Sequence, residues 1–321
     1  AANVFLRCAT RILVRVAGFT VRTFADLERR IAEVDWDDWI GAGDSPRFRV
    51  TSRNSELWHD GAVTQRFEAA LGTPVEGARE QLVVVRAVND RFTVSVDSSG
   101  APLHERGWRQ AIAKAPLRES VAAGLLVAAG WDPTTPLVDP MCGSGTIAIE
   151  AALLAGGVAP AAGRELAFRF WPGFEPGTWA SVAAEIQKRR TDAGDPPPIV
   201  AVDRDAGAVE SARANAERAG VADLIEWRTA PIAELARPDG TDGRPGLLVA
   251  NPPWGGRLAG GDLRNLYATL GRVASEGFAG WSLGVLVADR TLARQVRPGL
   301  TEALQLELGG RQAWYLTGRL R

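Results

Sequence analysis

The sequence predicts an α/β protein, in which a doubly wound, mostly parallel sheet ends in an antiparallel hairpin and follows a smaller α+β domain. From residue 117 onward, strand-like runs alternate with helical segments, which is the pattern of a parallel sheet covered on both faces. The last two strand-like runs follow each other without a helix between them. Residues 1–100 mix short strands and helices without that regular alternation.

The elements of the first hundred residues follow from local patterns. β-Branched composition or alternation predicts strands within 4–19, 47–53 and 81–100. Apolar residues at helical spacing predict helices at 23–34 and 62–72. Thr23 is the predicted N-cap of the first helix, and Asn89 and Asp90 form the predicted turn between the last two strands. We therefore expect a small α+β domain over 1–100.

The remaining elements belong to the predicted parallel sheet. Two prolines and an excess of cations favour a linker at 101–116, so that the second domain covers 117–321. Predicted strands lie at 136–139, 198–203, 223–228, 246–251 and 281–289. Predicted helices lie at 117–131, 145–157, 206–220, 263–277 and 291–297. The terminal hairpin is expected within 303–320.

Composition narrows the class of protein. Lys and Arg total 37 against 38 for Asp and Glu, giving a net charge of −1, so that any basic surface for nucleic acid must be local. Cys8 and Cys142 show neither metal-ligand spacing nor a disulfide framework. Because no secretory signal or long apolar run is visible, we expect a cytoplasmic protein without a metal and without a membrane partner.

The stretch "VDPMCGSGT" at 138–146 is the first chemical signal. A strand ending in Asp139 runs into a turn whose glycines, Gly143 and Gly145, let the backbone approach a ligand at the start of a helix. An ordinary strand-to-helix turn that binds no ligand would show the same sequence pattern. On the next strand Asp203 ends a buried run, where a carboxylate can accept both hydroxyls of a ribose, and Asp205 is the predicted helix N-cap.

The second signal is "NPPWG", which follows the strand-like run "LLVA" at 247–250. The prolines would hold two acceptors, the Asn251 side-chain oxygen and the Pro252 carbonyl, at a fixed spacing. Together these could bind the two hydrogens of an exocyclic amine on a flipped base. Trp254 offers a face for stacking, worth about 1–3 kcal/mol per base. The alternative is a structural turn with a core tryptophan.

At these residues the chain resembles class I S-adenosylmethionine-dependent methyltransferases, and more narrowly the THUMP-domain RNA guanine-N2 methyltransferases. The similarity rests on "DPMCGSGTIAIEAAL" at 139–153, on the junction at 98–126 and on "GRELAFRFWPGF" at 163–174. It implies a Rossmann-like methyltransferase sheet behind a ferredoxin-like remnant and a THUMP-like domain. The sequence departs from the family pattern in "EWRTAP" at 226–231, which lacks an acid for the adenine, and in Trp254, where Tyr or Phe is commoner.

The resemblance also assigns residues. It implies that S-adenosylmethionine is held by Asp139, Met141, Cys142, Gly143, Ser144, Gly145, Thr146, Asp203, Arg204 and Asn251. It implies an acceptor pocket formed by Asn251, Pro252, Pro253 and Trp254. The junction cations Arg106, Arg109, Lys114 and Arg118 are the candidate RNA contacts, although a solvated linker would contain such cations too.

The predicted activity is methyl transfer to the exocyclic N2 of a guanine in structured RNA, with large-subunit (23S) ribosomal RNA favoured. Transfer RNA is the alternative substrate, followed by the N6 of adenine in DNA and a glutamine side chain in a protein. The sequence does not choose between a monomer and a homodimer.

Overall fold

The computed structural model describes residues 1–110, 117–241, 243–255, 260–297 and 299–321, with no side chains described for 260–262. The chain divides into two compact units. The first contains Ala1–Leu103 and Ala161–Ala184, and the second contains His104–Pro160 and Glu185–Arg321. Among the described residues, no helix combines the length and apolarity required to cross a bilayer.

The first unit contains a four-stranded sheet, one face of which packs against two helices. Its helices are α1 (Ala2–Phe5), α2 (Phe24–Ala32) and α3 (Asp60–Leu71), and its strands are β1 (Leu13–Thr20), β2 (Ser45–Arg53), β3 (Glu80–Val88) and β4 (Arg91–Asp97). The strand order is β1-β4-β3-β2, with only β2 and β3 parallel. Alternate residues of the strands, such as Val83, Val85 and Phe92, pack against Leu27 and Phe67 of the helices. The predicted α+β character is confirmed.

The structure confirms the predicted helix N-cap and hairpin turn of this unit but not the predicted start of its first strand. The Thr23 side chain accepts a hydrogen bond from the Asp26 backbone N–H at 3.2 Å. Asn89 and Asp90 adopt φ of 50° and 63°, as a two-residue hairpin turn requires. The expected strand at 4–19 begins only at Leu13, because the chain before it forms the short helix α1 and then an irregular segment at 6–12.

The second unit contains the predicted doubly wound sheet. Its helices are α4 (Glu119–Ala128), α5 (Thr146–Ala155), the last part of α6 (Pro176–Asp192), α7 (Ala206–Ala219), α8 (Gly260–Gly277) and α9 (Arg290–Val296). Its strands are β5 (Leu137–Asp139), β6 (Ile199–Asp203), β7 (Glu226–Thr229), β8 (Leu247–Ala250), β9 (Ser282–Val287), β10 (Thr301–Leu308) and β11 (Arg311–Arg319). The order is β10-β11-β9-β8-β5-β6-β7. Strands β5 to β9 are parallel, and β10 and β11 form the expected antiparallel hairpin.

Strand order fixes where a ligand can bind. The chain moves outward from β5 to β6 and β7, and then returns to β8 on the other side of β5. A crevice therefore opens between the carboxyl ends of β5 and β8, the position at which open α/β sheets bind ligands. Asp139 ends β5, and Asn251 directly follows β8.

The chain segments near the unit boundaries differ from the sequence expectation. Residues 104–110 were expected in a linker, but they belong to the second unit, where Trp108 lies in the core at 5% exposure. Residues 161–184 were expected in the second domain, but they belong to the first unit. The Trp171 indole N–H donates to the Gln81 side-chain oxygen there at 2.7 Å, and its ring meets Trp39 edge-on.

Helix α6 was not predicted at all. None of its residues is buried, so its sequence has no apolar stripe to reveal the helical period.

Candidate active site

The glycine loop between β5 and α5 is held by backbone hydrogen bonds on both sides. The Cys142 N–H donates to the Val202 carbonyl at 2.9 Å, and the Gly145 N–H donates to the Cys142 carbonyl at 2.8 Å. The Gly143 N–H donates to the Asp203 carboxylate at 3.0 Å. Gly143 and Gly145 take φ of 52° and 81°, values that favour glycine.

The two glycines have different neighbours. A Cβ added at Gly145 would lie 2.9 Å from the Ala212 Cβ, so this glycine allows α7 to pack against the loop. A Cβ added at Gly143 would meet no atom within 4 Å. The loop is therefore tight toward the protein and open at Gly143. Gly145 is the N-cap of α5, so no side chain caps the start of this helix. Its first backbone N–H groups remain available to a ligand.

The side chains of the loop face the protein. Cys142, Ser144 and Thr146 are 7%, 5% and 4% exposed. The Thr146 hydroxyl accepts a hydrogen bond from Arg109 at 3.0 Å, and burial raises the pKa of the Cys142 thiol. Met141 is half-buried against the core, and Arg204 is exposed. What the loop can offer a ligand is its backbone.

Asn215 on α7 holds the loop from behind and was missed by the sequence analysis. It is fully buried, and its side-chain N–H donates to the Ser144 carbonyl at 3.1 Å. Its side-chain oxygen accepts the backbone N–H of Gln110 at 3.3 Å. No sequence signal identifies it, because one asparagine in an amphipathic helix predicts an exposed side chain.

Two carboxyl groups lie at adjacent strand ends. Asp139 is 1% exposed and accepts the Met141 N–H at 3.3 Å. Burial, together with the negative charge of Asp203, raises the pKa of Asp139 to about 8. Asp203 is half-buried and also accepts the Asp205 N–H at 3.0 Å, while Asp205 caps α7 as predicted. The site therefore has a neutral buried acid at pH 7, which a nearby cation would ionise.

The turn after β8 carries an acceptor without a partner. The Asn251 side-chain oxygen is buried and makes no hydrogen bond within the part of the chain that is described. Pro252 is buried and Pro253 is exposed, and the Tyr267 hydroxyl donates to the Pro253 carbonyl at 3.4 Å. Burial raises the pKa of that phenol, which keeps the donor proton in place. A buried acceptor without a donor is costly, and this one lies at the crevice.

Trp254 is partly a core residue and partly an accessible surface, so it fits both a structural turn and a stacking surface for a base. Its side chain is only partly buried and packs against the hydrophobic core of the second unit. Its indole N–H is buried without a hydrogen-bond partner among the described residues.

The junction cations require a correction. The Arg106 side chain is 2% exposed and pairs with the fully buried Glu150 at 3.2 Å, while Arg109 is 13% exposed and pairs with Glu119 at 3.3 Å. Both guanidinium groups neutralise acids of the interior, so neither can serve as a surface contact for RNA. Arg118 is exposed, and Lys114 lies outside the described residues. The lone acid in the apolar run "TIAIEAAL" was a signal that a buried cation must lie nearby.

Comparisons with known proteins identify the family of the chain. The family model described as "UPF0020: RMKL-like, methyltransferase domain" matches residues 106–310. The chain is 33% identical over 304 residues to the "Ribosomal RNA large subunit methyltransferase K/L" of Marinobacter nauticus, a match covering 88% of this chain and 42% of that protein. The chain thus spans less than half the length of this relative.

Two solved structures share the whole fold. One is "SMU.472, a putative methyltransferase complexed with SAH", with a TM-score of 0.85 and 25% identity over 100% of this chain and 86% of that chain. The other is "a predicted N6-adenine-specific DNA methylase" from Listeria monocytogenes, with a TM-score of 0.82 and 30% identity over 98% and 84% of the two chains. With its family match extending over well more than half of its length, the chain belongs to the UPF0020 family of RMKL-like methyltransferase domains.

Proposed function

We propose that this protein is an S-adenosylmethionine-dependent RNA methyltransferase that modifies the exocyclic N2 of a guanine in large-subunit (23S) ribosomal RNA. The observation that carries the proposal is the buried, unpartnered side-chain oxygen of Asn251. It lies after β8, beside the strand whose end opens into the glycine loop. An acceptor in that position needs a donor from a ligand, and an aromatic amine supplies one.

The residues at the crevice fit S-adenosylmethionine. The space at Gly143 and the uncapped start of α5 accommodate a ligand against the backbone. The carboxyl of Asp139 suits a ligand with an ammonium group, and Asp203 retains acceptor capacity for ribose hydroxyls. When bound, this cofactor supplies a methyl group activated on a sulfonium. It also resides in the SAH-bound relative as its demethylated form.

The chain's own contribution is positioning. Asn251 accepts one N–H of the base amine, and the Pro252 carbonyl accepts the other. Two acceptors at fixed spacing draw the nitrogen away from conjugation with the ring and orient its lone pair, and orientation of this kind supplies most of the catalysis. Tyr267 fixes the turn through Pro253, and the exposed part of Trp254 offers a stacking surface.

A strong base is not required. The nitrogen becomes cationic after transfer and loses its proton readily to water. His59 and His104, the two histidines of the chain, both precede residue 117.

The substrate class rests on two supports. The Marinobacter relative is named as a ribosomal RNA methyltransferase, and the first unit has the mixed α+β character expected of a THUMP-like RNA-binding domain. We propose that this unit holds structured RNA by shape and phosphate contacts. Methylation of transfer RNA is the alternative within the same chemistry.

A second candidate function is methylation of the N6 of adenine in DNA. It is favoured by one observation, which is that the similar structure from Listeria monocytogenes is described as a predicted N6-adenine-specific DNA methylase. The pocket chemistry is the same, because adenine also presents an exocyclic amine. Methylation of a protein glutamine is less well supported, since no observation beyond the shared turn favours it.

The test replaces Asn251 by Ala and, as a matched control, the exposed Asn265 of α8 by Ala. Methyl transfer from labelled S-adenosylmethionine to unmodified 23S ribosomal RNA is followed by nucleoside mass spectrometry. We expect N251A to lose transfer by about a hundredfold or more, as the loss of a positioning group does, while calorimetry shows nearly unchanged cofactor affinity. Label in adenine, or equal loss in N265A, would contradict the proposal.

A further inference from the structure

One face of the sheet in the first unit is cationic, and the sequence did not predict this. The strands β1 to β4 bury one face against α2 and α3. The opposite face carries five arginines, which we call the arginine face: Arg15, Arg49, Arg53, Arg86 and Arg91. They are separated in sequence by up to 76 residues, so only strand pairing brings them together.

The strand register places these arginines in a compact group. Arg49 and Arg15 lie in one row across the sheet, with Val84 and Ser95 between them. Arg86 lies in the next row, opposite Thr51, and Arg53 and Arg91 lie in the row after that, on either side of Val88. With strands about 4.8 Å apart and about 3.4 Å per residue, the five Cα atoms fall within about 15 Å in each direction.

These arginines are solvent-exposed and have no counter-charge. All five are exposed, and none makes an ion pair within the described chain. The acids on this face, Glu80 and Asp97, are already neutralised by Arg47 and by Arg11. The helix side of the same unit differs, because its arginines are paired with acids, as in Arg29 with Asp26 and Arg66 with Glu28.

A surface with this charge fits a polyanion. Five unpaired guanidinium groups on a protein of net charge −1 concentrate positive potential on one patch, which attracts phosphates and releases their counterions. Guanidinium groups also bind phosphate oxygens bidentately.

The other side chains of the face indicate which polyanion. The strand positions facing this side include Thr20, Thr51 and Thr93 but no aromatic residue. Without aromatic rings the face cannot stack splayed bases as single-strand RNA binders do. Arginines and hydroxyls suit the phosphates and 2′-hydroxyls of a double-helical segment.

We propose that the arginine face is the surface on which this protein holds the phosphate backbone of duplex RNA, independently of base sequence. The inference rests on the proposed function, since it names the surface by which the RNA substrate is held. It also offers RNA contacts in place of Arg106 and Arg109, whose guanidinium groups are paired with interior acids.

The experiment uses the full chain. In one variant Arg49 and Arg86 are replaced by Gln. In the matched control Arg29 and Arg66 are replaced by Gln, which makes the same change in net charge on the helix side. The probes are a base-paired RNA hairpin of random sequence and a DNA duplex of the same sequence. Affinity is measured over a range of salt concentrations, and calorimetry with S-adenosylmethionine tests the other unit.

We expect the R49Q/R86Q variant to bind the RNA hairpin several-fold more weakly than the unaltered chain. Its slope of log affinity against log salt should fall by about 2, one for each phosphate contact removed. The R29Q/R66Q control should keep both values, and both variants should keep their unfolding temperature and cofactor affinity. Equal effects of the two variants would overturn the proposal, and so would equally tight binding of the DNA duplex.

The two proposals fail in distinguishable ways. If R49Q/R86Q binds RNA more weakly but the unaltered chain methylates no guanine, the arginine face is supported and the guanine-N2 activity is rejected. Methylated guanine together with unchanged RNA binding in R49Q/R86Q would do the reverse.

Discussion

Replacing Asp139 by Asn should stabilise the protein at neutral and alkaline pH. This carboxyl is 1% exposed, and burial beside Asp203 raises its pKa from 3.8 to about 8. In the unfolded chain the group is ionised at pH 7, whereas in the folded chain it is held protonated. The difference of about 3 pKa units between the unfolded pKa and pH 7 corresponds to about 4 kcal/mol of folding free energy lost. Asn removes that loss and can still accept the Met141 N–H.

The sign follows from linkage. A folded pKa above the unfolded pKa makes the contribution to stability greatest below about pH 4, and that contribution is lost as the pH rises through about 8. The D139N variant lacks this loss. Its advantage in free energy of unfolding should therefore be near zero at pH 4 and increase steadily up to pH 8.

Urea denaturation at several pH values, without cofactor, measures the difference. A control is Asp132→Asn, because hydrogen bonds from Thr134 lower the pKa of this exposed carboxyl, so its loss should destabilise the protein at neutral pH and have no effect in acid. The cofactor affinity of D139N should fall, since the anion for the ligand's ammonium is gone. If D139N is no more stable than the unaltered protein at pH 8, the assigned electrostatics of the site are wrong.

Four further substitutions test the packing of the site. Gly145→Ala should destabilise the fold by about 1–3 kcal/mol in urea titrations, because the added Cβ would lie 2.9 Å from an atom of α7. In Gly143→Ala the added Cβ meets no atom within 4 Å, so this substitution should reduce cofactor affinity more than stability. Arg106→Met should cost about 3–5 kcal/mol, because it leaves a buried carboxylate without its cation; a loss below 1 kcal/mol would show that water reaches this pair. Tyr267→Phe removes the 3.4 Å hydrogen bond to Pro253 and should lower kcat for methyl transfer with little change in melting temperature or cofactor KM.

Local sequence patterns were sufficient for most of the elements. Buried strands, capped helices and the glycine turn each depend on residues close together in the chain, as with Thr23, Asp205 and the Asn89–Asp90 turn. The alternation of strands and helices predicted the doubly wound sheet, and hence the edge at which Asp139 and Asn251 meet. Helix α6 was not predicted, because none of its residues is buried and its sequence therefore has no apolar stripe.

By itself the sequence determined the fold class, the glycine loop and the Asn-Pro-Pro-Trp turn, because each of these is a short-range pattern that local geometry requires. Only the tertiary structure decided which charges are available. It buried Arg106 against Glu150, which is distant in the sequence, and paired the partly buried Arg109 with the buried Glu119. It also aligned five other arginines on one face of a sheet. The reason is that the environment of a charge depends on which distant segments pack beside it, and composition and spacing do not contain that information.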